Sequence, residues 1–121
     1  MNFILVFVGG GLGTVARHAV NVLTARWAME GWPLGTFCIN IAGSFLMGVI
    51  GGMFLKHTGL PPELRLFLAT GILGGFTTFS AYALEVVLLH ERGATFAAFI
   101  YAIGSIALGV AALASGLALT R

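Results

Sequence analysis

Residues 71 to 82 read GILGGFTTFSAY and bring three glycines, two threonines, a serine and three aromatic rings into a stretch otherwise rich in Leu, Val and Ala. Ser, Thr and Tyr donate hydrogen bonds without carrying charge, and an aromatic ring is electropositive at its edge, so such a set can replace the water around an anion. Related residues recur elsewhere at helical spacing. Thr36, Asn40, Ser44, Gly48 and Gly52 follow one another at i+4, as do Ala97, Tyr101, Ser105 and Gly109, and Gly9, Gly13, Arg17 and Asn21. No Asp occurs in the chain, and of the four Glu only Glu85 lies well inside an apolar run. The embedded polar set is thus mainly donors, which suits an anion. Arg17 is its one cation, and a guanidinium at mid-membrane costs about 2.5–3.5 kcal/mol on insertion scales unless it snorkels or meets water or a partner.

These residues need elements to hold them. At 121 residues, 59% hydrophobic and 8% charged, the chain falls outside the soluble globular class and reads as an integral membrane protein. A bilayer core of about 30 Å takes roughly 20 apolar residues per helix. Four such spans fill the sequence, at 2–25, 33–56, 64–90 and 94–119, so residues 1–121 read as one transmembrane domain. The joints RWAMEGW, KHTGLPPE and HERGA carry turn formers and charges, and Trp27 and Trp32 suit an interfacial belt. The apolar runs lack the alternation of a barrel strand, which leaves helices as the spanning element. The first span has no basic n-region and is interrupted by Arg17, so it reads as a retained helix rather than a cleaved signal.

Several chemistries are excluded or disfavoured. Cys38 is the sole cysteine, which rules out an internal disulfide or a multi-cysteine metal site within one chain. His18, His57 and His90 stand far apart near helix ends, against a histidine metal site. No G-x-x-x-x-G-K-[ST] motif is present for a nucleotide, and nothing points to an enzyme.

The third span is unusual in itself. Its 27 residues exceed what a bilayer core requires, and Gly71, Gly74 and Gly75 beside two β-branched threonines weaken a helix by about 1 kcal/mol per glycine. That pattern predicts a helix broken near its middle, a device by which membrane transporters satisfy ions with freed carbonyls and half-helix N-termini. Phe79 and Tyr82, three residues apart, share a face just after it. The i+4 stripes have two readings, internal packing of small residues or, in part, a polar track. Counted by membrane face, Lys56, Arg65 and Arg121 stand on the side of both termini and the second loop, and Arg26 and Arg92 on the other. Three against two barely selects an orientation, as in a dual-topology protein, although one weakly signalled orientation fits the same count. Four helices enclose little space, which favours an oligomer.

GGGLGTVAR (9 to 17), GTFCINIAGSFLMG (35 to 48) and GILGGFTTFSAYALE (71 to 85) resemble the three signature segments of the Fluc fluoride channels, also called the CrcB family, and the likeness covers nearly the whole chain. The resemblance implies an all-α membrane protein of four transmembrane helices per subunit, forming an antiparallel dual-topology homodimer in the lipid bilayer of the bacterial inner membrane. It implies two fluoride pathways at the subunit interface and a structural sodium ion (Na+) at the dimer centre, held by the backbone carbonyls of Gly74 and Thr77 from both subunits. By the same likeness Asn40 is the pore asparagine, Phe79 the first of two aromatics facing the anion, and Tyr101 with Ser105 a polar track on the fourth helix. Thr36, Ser80 and Arg17 match further polar positions near the pathway or its vestibule. Tyr82 stands where the family commonly has a second phenylalanine, Ala81 where it has threonine, and Gly109 where a serine is frequent. These departures bear on the second aromatic station and on the continuity of the track, and a heterodimer stays open beside the homodimer.

Two other classes are weighed against this one. A small multidrug resistance-type proton-coupled exporter needs a carboxylate in the first span, where this chain has Arg17 and no acid before Glu30. A non-transporting membrane assembly subunit is the other. The balanced basic residues carry their own prediction: cysteine labelling at Ser115→Cys, or at an introduced loop cysteine, finds both termini on both sides of the membrane. Two lysines added to one face lock the orientation and reduce activity. A single orientation in the parent protein contradicts antiparallel pairing.

Overall fold

The computed structural model describes residues 1–27 and 32–121. Part of the joint RWAMEGW, residues 28–31, lies outside the described residues. The chain is all-helical where described: α1 (Asn2–Thr24), α2 (Leu34–Lys56), α3 (Pro62–Arg65), a π-helical stretch (Leu66–Leu73), α4 (Gly74–Phe76), α5 (Phe79–Glu91) and α6 (Thr95–Thr120). Four stretches, Asn2–Thr24, Leu34–Lys56, Pro62–Glu91 and Thr95–Thr120, are long and apolar enough to cross a membrane.

The ends follow from local chemistry. Pro61 is extended (φ −64°, ψ 138°), as a residue before proline tends to be, and Pro62 then starts α3 at a position where its missing N–H costs nothing. At the other end of that span Gly93 takes φ +85°, with Gly93 N–H donating to the His90 carbonyl (3.0 Å) and Ala94 N–H to that of Leu89 (2.9 Å). This paired closure, with glycine in the left-handed region, ends α5 and turns the chain into α6.

Lipid supplies no hydrophobic drive between helices, so close backbone approach must hold them together. Small residues provide it along two seams. α1 lies on the π-helical stretch, where a Cβ added at Gly9 would stand 2.7 Å from the Phe67 carbonyl oxygen and 3.0 Å from Gly71 Cα. α2 lies along α6, where a Cβ at Gly52 would meet the Leu117 carbonyl at 2.8 Å, and one at Gly116 would meet Val49 N at 2.8 Å. Thr120 Oγ1 closes this second seam by donating to the Val49 carbonyl at 2.9 Å. The buried core is small. Tyr82, Leu89, Ala98 and Tyr101 join α5 to α6, with Phe37 of α2 packed against them. Large apolar side chains face outward on every span, among them Phe3, Phe7, Leu55, Phe79 and Phe96.

Gly48 tests the α2–α6 seam. A Cβ there would collide with the Leu113 carbonyl. Gly48→Val should destabilise the purified protein by about 1–3 kcal/mol, the usual range for overpacking, read as a lower unfolding midpoint in detergent. Gly11→Ala, where nothing lies within 4 Å of the added carbon, should leave the midpoint unchanged or raise it. Equal behaviour of the two variants would show that the helices do not meet at Gly48.

Candidate functional site

The third span departs from α-helical bonding twice. Over Leu66–Leu73 the hydrogen bonds lengthen to the π pattern, and the first residue beyond, Gly74, donates to the carbonyls of Ala69 and Gly71. Then Thr77 (φ −82°, ψ 156°) and Thr78 (φ −149°, ψ 117°) are extended, and helix resumes at Phe79. Extended backbone in a membrane interior must find partners off the helix. Thr78 finds them on α2: its N–H donates to Asn40 Oδ1 at 2.9 Å, and Asn40 Nδ2 donates to its carbonyl at 3.0 Å. Thr78 also caps α5, with Oγ1 accepting from Ala81 N–H at 3.2 Å.

In a continuous helix the Thr78 N–H would donate to the Gly74 carbonyl, and the Ala81 N–H to that of Thr77. Both donors are committed to side chains instead. The carbonyls of Gly74 and Thr77 are therefore left without helical donors, and Gly74 is exposed. This is the chemistry of a hard-cation ligand, and two such oxygens per chain fit an ion shared between two chains. Among the described residues no group of three or more His, Cys or acidic side chains could hold a metal.

Asn40, Gly43, Ser44, Thr77, Thr78 and Phe79 line an open cleft of about 270 Å³, with Met47 of α2 and Leu113 of α6 on its walls. At its α5 side the N–H groups of Phe79 and Ser80 begin a helix and have no intrahelical acceptor, so the positive end of α5 faces the same region. Ser80 is exposed, with Oγ 3.4 Å from Thr78 Oγ1. Phe79 is 77% exposed, an unusual position for such a ring beside a polar cleft. Its centroid is 5.7 Å from that of Tyr82, which in turn lies 5.3 Å from Tyr101, both pairs tilted. The three rings form a ladder from the cleft into the α5–α6 core.

The structure brings together Asn40, Thr77, Phe79 and Ser80, and connects Tyr82 and Tyr101 to them through the rings. Tyr82 donates through its hydroxyl to the Ala102 carbonyl at 2.6 Å, so this hydroxyl is occupied by α6 backbone. Thr36 lies further along α2, buried, where its hydroxyl donates to Glu85. Tyr101 and Ser105 are buried on α6; the Ser105 hydroxyl lacks a hydrogen-bond partner within the chain, and that of Tyr101 lies toward the Glu85 carboxylate without a close hydrogen bond. Arg17 is half-buried on α1, with its Nε buried and unpartnered, and it does not line the cleft. Unpartnered buried polar atoms are rare in folded chains and mark places where a ligand, water or second subunit belongs.

Two residues of this constellation carry roles that the motif reading leaves unassigned. Thr78 is both the partner of Asn40 and the cap of α5. A threonine opening a helix after a glycine-rich run is the signal for that cap. Glu85 joins the network as the acceptor for Thr36, and its signal is being the one carboxylate well inside a span.

The family model for "CrcB-like protein, Camphor Resistance (CrcB)" matches residues 4–117. Among similar proteins, the "Fluoride-specific ion channel FluC" of Granulibacter bethesdensis is 52% identical over 121 residues, covering all of this chain and 95% of the relative. "Fluoride-specific ion channel FluC 2" of Nitrobacter hamburgensis is also 52% identical, over all of this chain and 98% of its own length. A FluC protein of Phenylobacterium zucineum is 53% identical over 119 residues, 98% of this chain and 94% of the relative.

Proposed function

This chain belongs to the CrcB-like protein family, and we propose that it is a fluoride-specific ion channel that lets fluoride leave the cell passively across the inner membrane, which lowers fluoride toxicity inside. The observation that carries the proposal is the donor-lined cleft at Thr77–Thr78, in a chain alike over its full length to proteins named for that activity. Fluoride is small and strongly hydrated, so a path through hydrocarbon must offer hard donors in place of water. Asn40 has a second amide hydrogen beyond the one given to Thr78, Ser80 has an exposed hydroxyl, and the N-terminus of α5 adds a positive dipole end. The Phe79 ring presents a polarised edge where no donor stands. The buried hydroxyls of Tyr101 and Ser105 continue this set along α6, with Thr36 and Arg17 nearer the ends.

The working unit in this proposal is an antiparallel, dual-topology homodimer. It is supported by the balance of basic residues and by the exposure of Phe79 and Gly74 beside an incomplete site. The carbonyls of Gly74 and Thr77 from the two subunits would hold a sodium ion, whose charge would fix the paired interruptions against each other. An inside-negative potential of 100 mV contributes about 2.3 kcal/mol toward expelling each anion, so no energy source beyond the gradient and the voltage is required.

Reconstitution into liposomes loaded with fluoride or chloride tests the activity. A fluoride electrode should record rapid efflux once a potassium ionophore dissipates the potential, while chloride-loaded vesicles stay silent. Silence toward fluoride removes the channel reading and leaves an assembly subunit. Transport of organic cations against a proton gradient would instead indicate a multidrug exporter.

The ring ladder sets a second test. Phe79→Ile keeps apolar bulk but removes the electropositive ring edge, and should lower fluoride flux about tenfold in a folded dimer. Tyr82→Phe removes only the hydroxyl bonded to Ala102 and should keep flux within about threefold of the parent, at a cost of about 1 kcal/mol in stability. Full conduction by Phe79→Ile together with a dead Tyr82→Phe would move the anion from the ring edges to the hydroxyl.

A further inference from the structure

We propose that Asn40 and Thr78 are positioning residues that set the affinity of this protein for sodium, by keeping two main-chain donors away from the oxygens that would bind it. The inference rests on the sodium reading above and adds to it the side chains that make those oxygens available. Gly74 has no side chain and the Thr77 hydroxyl is given to the Leu73 carbonyl, so only their own carbonyls matter, and any carbonyl inside a helix is normally satisfied by the N–H four residues on. Asn40 Oδ1 takes the N–H that would return to Gly74, at 2.9 Å. Thr78 Oγ1 takes the N–H that would return to Thr77, at 3.2 Å.

The two diversions are independent in origin. One comes from α2 across the helix interface, the other from within the third span. Asn40 does more than accept, because Nδ2 donates back to the Thr78 carbonyl at 3.0 Å and so grips one residue on both sides in its extended conformation. Thr77 is tethered as well, its N–H and its hydroxyl both donating to the Leu73 carbonyl, at 3.0 Å and 2.9 Å. Its own carbonyl stays uncommitted. Without the two acceptors, the backbone can relax toward continuous helix, in which both oxygens accept an N–H and compete poorly as ligands for a hard cation.

Stability measured against sodium, with no flux involved, tests this. The parent and three variants are purified in detergent, free of fluoride, and sodium is exchanged for N-methyl-D-glucamine at constant ionic strength. Unfolding midpoints are followed by tryptophan fluorescence, and size exclusion checks that each protein is a monodisperse dimer. Saturating sodium should raise the parent midpoint by about 5 °C or more. Asn40→Leu and Thr78→Val, which abolish one acceptor each, should need at least about tenfold more sodium for half the effect, a change of about 1.4 kcal/mol. Thr78→Ser keeps the hydroxyl cap and should follow the parent. A parent whose midpoint ignores sodium overturns the sodium reading itself. A sodium-sensitive parent whose Asn40→Leu and Thr78→Val variants respond at the same concentration overturns the positioning role and leaves the sodium reading in place. Should Asn40→Leu not yield a monodisperse dimer, Thr78→Val against Thr78→Ser decides alone.

Discussion

A backbone segment that leaves helical geometry inside hydrocarbon must have its polar groups met by something other than water, and in this chain the Asn40 amide meets those of Thr78. Much of the architecture follows from that pairing. It draws α2 against the third span so closely that a Cβ at Gly43 would stand 3.3 Å from the Phe76 ring. With α2 held there, its next glycines, Gly48 and Gly52, face α6, and α6 in turn presents Ala102 to the Tyr82 hydroxyl and buries Tyr101 beside its ring. The cleft beside Asn40 is what remains between these contacts, walled by α2, α5 and α6.

The i+4 stripe on α2 accordingly serves more than one purpose. Thr36 donates to Glu85, Asn40 secures Thr78, Ser44 lines the cleft, and Gly48 with Gly52 supplies the seam to α6. Packing and polar track, the two readings of such a stripe, are both present and divide along its length. The α1 stripe divides too. Gly9 and Gly13 lie against the π-helical stretch, while Arg17 and Asn21 leave the seam and extend toward the helix end. Since lipid gives no reward for apolar contact as such, each seam depends on the absence of a side chain, and single methyl groups matter there.

Legibility in the sequence tracks the range of the interaction. The four spans are visible to within two residues at each described end, because bilayer thickness, prolines and charged joints act locally. The glycines and threonines of residues 71 to 82 mark where helical regularity fails, again a local property, and Thr77 with Thr78 are extended there. The π pattern is less legible: Gly71 weakens the helix near its end, but nothing in residues 66–70 marks a widened turn, which accompanies close contact with α1. Which atoms Asn40 meets is likewise absent from any spacing rule, because its partner is main chain 38 residues away. Arg17 shows the same limit in reverse. Its type and depth suggest a place near an anion path, yet within one chain it stays apart from the cleft, and only a second subunit or the bilayer edge can complete its surroundings.

In the proposed channel, the cleft of neutral donors and the ring ladder would offer a hard anion donors that carry no charge of their own, so that entry and exit are both cheap enough for a channel. The most direct test is the reversal potential in a planar bilayer, with a tenfold fluoride gradient, equal chloride on both sides and an imposed pH difference. The account predicts a reversal at the fluoride equilibrium value, about 59 mV for a monovalent ion, unmoved by the proton gradient. A reversal near zero, or one that follows the protons, would contradict it.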